Sequence, residues 1–340
     1  MMEINTLLFI KGKNSMRKIV VIFLLLLTLN ADDKYQLGEG IQVGSLPLYL
    51  GGYFSLDYKY MDDYQRYRVD DLAFLAYGSY SKFSYLVELE YKELYVKTNE
   101  SITKDTNLYT ERIYMDYNLD ENYMLRVGKY NSPIGFWNLL PINVLRETTS
   151  SPKSSYIVFP KFTTGLGASY SSYDEGEFKI DLMLQHNNNL DDDTYNNYTI
   201  DQHYALGITY EKSDFTYKLN VGFFHPLEQM SGDDLFYLLL STKYESDSYQ
   251  FLSEIGRQKS ENEVTTEYAG YIQGLYRFAP EHTGVLRLES YDDRRSDTSD
   301  DIAIVGYTYR PLYPIALKSE YQFHTLKSEN QLLFSFSVLF

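Results

Sequence analysis

Apolar and polar side chains alternate along most of this chain, and that alternation is the feature that most constrains its fold. The end of the chain shows it most clearly. One face of this extended segment carries Leu332, Phe334, Phe336, Val338 and Phe340. The opposite face is polar, with Leu333 and Leu339 as exceptions. A period of two with aromatic residues is typical of a strand between lipid and a polar interior, and also of a half-buried edge strand in a soluble sheet.

The same pattern repeats in about sixteen segments between residue 48 and the last residue, each roughly ten residues long. In one of them the apolar face carries Phe83, Tyr85, Val87, Leu89 and Tyr91. Short turns and longer connections alternate between the segments, and residues 61–68 are predicted to form one of the loops. An even strand number with alternating connections is required by a membrane barrel and is not imposed by a β-sandwich. We therefore predict an all-β fold over residues 48–340, a transmembrane antiparallel up-and-down β-barrel of about 16 strands.

Composition excludes several other classes of protein. The chain has 36 Tyr, no Cys and a mean hydropathy of -0.37. Beyond the N-terminus no run approaches the roughly 20 apolar residues that a spanning helix needs. The formal net charge of -16 makes nucleic acid an unsuitable partner, since nucleic acid binding needs a basic surface. The absence of Cys excludes disulfides, thiolate metal sites and a lipid anchor on cysteine.

The N-terminus has the pattern of a secretory signal peptide. Arg17 and Lys18 precede an apolar run that ends near Leu29, and we expect cleavage after Ala31. An uncleaved anchor is the alternative. Residues 1–15 are interpreted as an upstream start-site extension, with Met16 as the start of translation. Residues 32–47 are expected to be a periplasmic N-terminal segment ahead of the barrel.

The longest connection, residues 131–162, is too apolar and too rich in proline to be an ordinary extended loop. It contains the single Trp137 and the cations Arg146, Lys153 and Lys161. One interpretation is a packed surface loop. The preferred interpretation is a loop that folds into the barrel, narrows the pore and presents these basic side chains there.

Charged residues of both signs fall on the strand faces that are predicted to point into the lumen. They are Glu88, Glu90, Arg112, Asp116, Arg126, Lys179, Arg287, Arg310, Lys318 and Glu320. Such a mixture predicts a transverse field across a water-filled lumen. Acidic clusters such as Asp191–Asp193 in the predicted outer loops are read either as ordinary solvated turns or as a vestibule that concentrates cations.

No enzymatic motif accompanies these features. The five His residues are scattered without metal-ligand spacing, and there is neither a G-x-S-x-G sequence nor a phosphate-binding glycine loop. We therefore predict no catalytic residues, no metal site and no cofactor. A hydrolase assembled from separate strands is the remaining enzymatic alternative, and His186 beside Asn187–Asn189 is its one hint.

The stretch from Arg126 to Gly135, R-V-G-K-Y-N-S-P-I-G, resembles the bacterial porins of the phosphate-selective O and P type. The segments Val305–Pro311 and Lys318–Gln322 are similar to the tail of that family. The resemblance implies a sixteen-stranded barrel with an inward-folded third loop, assembled as a trimer. The chain departs from the family because it has no dense set of basic residues to match the family's anion-conducting ladder.

These observations together predict a porin in the outer membrane of a Gram-negative bacterium, which would let small hydrophilic solutes or ions diffuse passively. The expected partners are outer-membrane lipid and lipopolysaccharide, the barrel assembly machinery, the diffusing solutes and two further copies in a homotrimer. The assembly signal would be Phe336, Val338 and Phe340 in the last strand. The alternative is a plugged structural or adhesive barrel that binds an external partner through its loops.

Overall fold

Sixteen long strands form one closed antiparallel sheet in the computed structural model of the chain, which describes residues 36–191, 197–227 and 233–340. The predicted signal peptide lies outside these residues. The strands are β1 Tyr49–Met61, β2 Tyr64–Tyr80, β3 Phe83–Thr98, β4 Tyr109–Asn118, β5 Tyr123–Asn131, β6 Phe162–Tyr173, β7 Glu177–His186, β8 Ile200–Lys212, β9 Phe215–Pro226, β10 Leu235–Glu245, β11 Tyr249–Lys259, β12 Val264–Ala279, β13 His282–Asp293, β14 Thr298–Leu312, β15 Ile315–Phe323 and β16 Gln331–Leu339. Two short strands, Ile41–Gln42 and Ile102–Thr103, pair with β1 and β3.

Each long strand pairs with the next one along the chain, and β16 pairs back onto β1. The closing ladder continues beyond β16, because the backbone amide and carbonyl groups of Phe340 and Gly52 exchange two hydrogen bonds of 2.8 Å. The ring of strands therefore has no free edge. The predicted up-and-down barrel and its strand number are confirmed.

Side chains alternate between the two faces of this sheet. In β13, Leu286 and Leu288 are 54% and 55% exposed, whereas Arg287 between them is 1% exposed. Because the sheet is closed, the exposed apolar face is the outer one and the buried polar face lines the interior. In the described part of the chain, no helix combines the length and the apolar character needed to cross a membrane.

The connections at the end of the barrel near both termini contain two to four residues each, and the longest ones lie at the opposite end.

The prediction of a loop over residues 61–68 is wrong. β1 runs to Met61 and β2 begins at Tyr64, so only Asp62 and Asp63 form the turn, with Asp63 at φ 44°. The charges that suggested a loop belong to the interior face, where Arg68 Nε donates to Asp57 Oδ2 at 3.0 Å.

Two further acidic clusters adjoin the connection between β13 and β14. Asp292 and Asp293 end β13, and Asp300 and Asp301 lie within β14, so these residues belong to strands and not to loops. Asp293 is buried and accepts a hydrogen bond from Ser296 at 2.7 Å. A carboxylate at the end of a strand can therefore serve the adjoining turn while its backbone stays in the ladder.

Barrel closure should be sensitive to a methyl group at Gly52. A Cβ there would lie 2.8 Å from the ring of Phe340 and would overlap the backbone oxygen of Ala73, which cannot move without breaking the β1–β2 ladder. We expect Gly52→Ala to reduce the folded fraction measured by the heat-modifiable gel shift after refolding. Gly284→Ala is the matched control, since its nearest neighbours are 4.0 Å away. Equal folded fractions for the two variants would contradict the closing role of Gly52.

Candidate functional site

Residues 132–161, which join β5 to β6, form a compact segment with little regular structure. It contains two 3-10 turns, Trp137–Leu139 and Asn143–Leu145, and one helical turn, Ser154–Ile157. Its two ends are fastened together where it leaves the barrel wall. Ser132 N donates to Lys161 O at 2.8 Å, and Asn138 Nδ2 donates to the same carbonyl at 2.9 Å.

Interior side chains from β9 and β11 hold the first turn of the segment by its backbone. Asn220 Oδ1 accepts from Gly135 N at 3.0 Å, and Lys218 Nζ donates to Gly135 O at 3.1 Å. Glu254 Oε1 accepts from the next two backbone amides, those of Phe136 and Trp137. Gly135 has φ 64°, and a Cβ there would lie 2.7 Å from Glu254 Oε1. The position therefore requires glycine for both conformation and space.

The opposite wall of the barrel holds the middle of the segment in the same way. Lys318 Nζ, on β15, donates to the backbone oxygen and to the side-chain oxygen of Asn143. Arg310, on β14, donates from Nη1 to Val144 O at 2.5 Å and from Nη2 to Arg146 O at 3.0 Å. These contacts give side-chain donors to the backbone carbonyls of the second 3-10 turn and of Arg146, which follows it.

The last part of the segment contacts β13 and β15. Arg287 Nη2 donates to Ser150 Oγ at 2.6 Å, and its Nη1 donates to Ser150 O at 3.1 Å. Thr149 N donates to Glu320 Oε2 at 2.8 Å. The backbone amide of Lys153 donates to Glu289. Strands on both sides of the barrel are thus joined through one segment.

Apolar packing complements these polar contacts on the wall formed by β7 to β12. Ile134, Val158 and Phe159 of the segment are fully buried and pack against interior residues of the strands. Their partners include Met183, Phe224, Leu235, Leu239 and Ala269. In β10, Leu235 and Leu239 face the interior while Leu238 and Leu240 are exposed, so this strand is apolar on both faces. The segment therefore covers an interior patch that water would otherwise meet.

Most of the interior charges that the sequence analysis singled out lie in ion pairs. Glu88 on β3 pairs with Arg112 on β4, and Arg126 Nε is 2.6 Å from Asp116 Oδ1 across β4 and β5. Lys179 Nζ is 3.0 Å from Asp181 Oδ1 on the same strand. Further ion pairs join Arg287 to Glu289, Arg310 to Glu147 and Lys92 to Glu90. The interior field is therefore divided into local pairs of opposite charge.

The basic residues of the segment lie against aromatic rings. Arg146 Cζ is 5.7 Å from the centroid of the buried Trp137 ring, and Arg287 Cζ is 5.5 Å from the same ring. Lys153 Nζ is 5.3 Å from the Tyr291 ring, and Lys161 Nζ is 5.6 Å from that of Tyr156. The four residues named from the sequence do not form one cluster, because only Trp137 and Arg146 are brought together.

Two of the cavities in the described part of the chain adjoin the segment. One, of about 520 Å³, is lined by Ser150 and Lys153 of the segment together with Lys59, Arg66 and Glu289 of the strands. The other, of about 290 Å³, is lined by Phe136 and Leu139 together with interior residues of β5 to β9 such as Arg126, Lys179 and Lys218. Charged side chains thus line part of both cavities beside the segment.

Lys218, Glu254 and Glu289 also face the interior and hold the segment, although the sequence analysis assigned them no role. Four further residues of these contacts were not predicted from the sequence: Asn143, Thr148, Ser150 and Asn220. For Asn220 the available signal was a polar residue at an inward position of a strand, since an enclosed polar group needs a hydrogen-bond partner. The other three lie in the segment, where no strand pattern indicates a role.

Glu254 should be the most sensitive of the residues that hold the segment. Glu254→Ala leaves the buried amide of Trp137 and the partly buried amide of Phe136 without an acceptor, and such a loss costs about 1–3 kcal/mol for a buried group. We expect a lower midpoint of urea-induced unfolding in detergent micelles. Glu254→Gln, the control, retains an acceptor oxygen and should stay near the wild-type midpoint. Equal effects of the two substitutions would show that the negative charge matters, and not the acceptor.

Comparison with known proteins shows what this geometry resembles. No protein-family model and no curated protein sequence matches the chain. Among solved structures, OmpF of Salmonella typhi in complex with daunomycin aligns with a TM-score of 0.61 and 10% identity, covering 86% of this chain and 97% of that one. The outer membrane channel DcaP of Acinetobacter baumannii aligns with a TM-score of 0.58 and 13% identity, covering 89% of this chain and 100% of that one. An anion-selective porin from Comamonas acidovorans aligns with a TM-score of 0.61 and 10% identity, covering 86% of this chain and 99% of that one. At these identities the likeness establishes the fold, and the chain shares the closed barrel of these proteins.

Proposed function

We propose that this protein is a porin of the bacterial outer membrane, through which small hydrophilic solutes or ions diffuse passively, and that residues 132–161 are its constriction. The observation that carries the proposal is the attachment of this segment to both sides of the barrel interior. Lys218 and Glu254 hold one part of it, and Arg287, Arg310 and Lys318 hold the rest. No chemical step is required, because the bore and the charge of the lumen determine what passes.

The outer surface supports the proposed location. Its exposed side chains are apolar along the strands, for example Leu286 and Leu288 on β13, and the polar groups are on the other face. This division suits a barrel that is surrounded by lipid, together with lipopolysaccharide at its outer leaflet. The last strand, with Phe336, Val338 and Phe340, is the proposed signal for the barrel assembly machinery. A homotrimer, as the resemblance implies, completes the proposal.

Selectivity is proposed to depend on the cations of the segment that have no carboxylate partner. Within the described parts of the chain, no carboxylate lies at ion-pair distance from the side chains of Lys153 and Lys161, whereas Arg287 has Glu289 beside it. Lys153 lines the larger cavity, so its charge acts directly on ions there. We infer a preference for anions near the segment, which opposes the effect of the acidic loops at the rim.

Removal of the segment tests the constriction. Deleting residues 139–155 should raise the single-channel conductance in planar bilayers, because the path for ions becomes wider. The folded state of the deletion variant is verified by its heat-modifiable gel shift. An unchanged conductance would contradict the proposed constriction. A folded wild-type protein that shows no conductance steps, with steps appearing only after the deletion, would favour the plugged structural or adhesive barrel.

Lys153→Gln tests the charge of the segment. The loss of one positive charge beside the larger cavity should shift the reversal potential in a salt gradient toward cation preference, and the shift should be smaller at high ionic strength. Lys212→Gln is the control, since Lys212 lies at a short turn at the other end of the barrel. A reversal potential that stays at the wild-type value in both variants would contradict the proposed role of Lys153.

A further inference from the structure

Three side chains with metal-binding atoms meet where β14, β15 and β16 approach the end of the barrel that carries the long loops. Asp300 lies near the start of β14, His324 directly follows β15, and Glu329 ends the short 3-10 turn before β16. One ligand atom from each of the three lies within 4.8 Å of the other two. All three residues also line the larger cavity beside the constriction segment.

We propose that Asp300, His324 and Glu329 bind one divalent transition-metal cation, with Zn²⁺ as the best match. One imidazole nitrogen and two carboxylate oxygens are a ligand set that Zn²⁺ accepts, with metal–ligand distances of about 2.0–2.2 Å. The imidazole makes Mg²⁺ and Ca²⁺ poorer candidates, because these ions prefer oxygen ligands alone. Water would complete the coordination, since the site opens to the cavity.

An ion pair between His324 and Asp300 does not explain why the carboxylate of Glu329 lies beside them. His324 Nδ1 is 2.6 Å from Asp300 Oδ2, and this contact alone would fasten the loop to β14. Within the described residues the carboxylate of Glu329 makes no hydrogen bond and no ion pair, yet it lies beside the carboxylate of Asp300. Two carboxylates at this separation repel each other, and a divalent cation between them removes that repulsion.

The backbone around the site holds two of the ligands in position. Asp300 Oδ1 accepts from Thr325 N at 3.0 Å, which leaves Oδ2 for the cation. The backbone amide of His324 donates to Asn330 Oδ1 at 2.8 Å and so fixes the start of the loop. Ligands that are oriented by neighbouring hydrogen bonds lose less entropy on binding, which favours a site that is formed before the metal arrives.

The second imidazole nitrogen has the surroundings of a metal-binding histidine. His324 Nε2 lies 3.2 Å from Gln322 Oε1 and 3.2 Å from Gln331 Nε2. A proton on Nε2 can be donated to Gln322 Oε1, and this arrangement keeps the lone pair on Nδ1. A cation bound at Nδ1 would take the place of the hydrogen bond between Nδ1 and Asp300 Oδ2.

A bound cation would add two positive charges to the wall of the cavity that Lys153 also lines. It would also tie the connection between β15 and β16 to β14. If the protein conducts ions as proposed above, Zn²⁺ should therefore shift the reversal potential further toward anions. Metal binding itself does not depend on conduction, so a failure of the channel assay leaves the binding measurement decisive.

Zn²⁺ binding is measured by isothermal titration calorimetry on the refolded protein in detergent micelles, with folding verified by the gel shift. We expect one Zn²⁺ per chain, and an affinity at least tenfold lower in both His324→Ala and Glu329→Gln. Glu329 is exposed, so its substitution should leave folding unchanged. His225→Ala is the matched control, because His225 Nδ1 also lies near a carboxylate, 2.9 Å from Asp234 Oδ1, and should leave the affinity unchanged.

Two outcomes would overturn the site. One is a folded wild-type protein that binds no Zn²⁺. The other is Zn²⁺ binding that Glu329→Gln leaves unchanged, since this would leave the Asp300–His324 contact as an ordinary ion pair that anchors the loop.

Discussion

Backbone pairing between the last strand and the first is the interaction on which the rest of this structure depends. An exposed sheet edge in hydrocarbon leaves amide and carbonyl groups unpaired, and each costs several kcal/mol, so a membrane sheet has to close. The hydrogen bonds between Gly52 and Phe340 extend that closure to the end of the chain. Closure then places both termini at one end, requires an even strand number for an up-and-down path, and separates an outer face from an inner one.

The inner face brings a second requirement, because polar side chains that are enclosed by a barrel still need partners. Cross-strand ion pairs such as Asp116–Arg126 satisfy part of them. The segment between β5 and β6 satisfies many others with its own backbone, which has no regular ladder of hydrogen bonds. The barrel wall and the segment thus complete each other, since Glu254 needs donors and the amide of Phe136 needs an acceptor.

The sequence predicts the barrel well, because alternation is local and repeats in every strand. It fails where charges interrupt the pattern, as in residues 61–68, whose arginines face an interior carboxylate. It also fails for partners that are distant along the chain: Glu254 and Phe136 are 118 residues apart, and no periodicity links them. The leucines on the inner face of β10 are explained only by the segment that packs against them, and the sequence pattern does not show that contact. Asp300 and His324 likewise meet only because β14 and β15 pair.

The way the segment is held has a consequence for the proposed selectivity. The backbone of Lys153 is held by Glu289, and its ammonium group lies against Tyr291, so both anchors come from β13. A long, flexible side chain would otherwise average its charge over a wide volume. Because strand β13 is part of the rigid ladder, the charge acts at a nearly constant place beside the cavity. The proposed selectivity therefore depends on interior residues of the wall, such as Glu289, as much as on Lys153 itself.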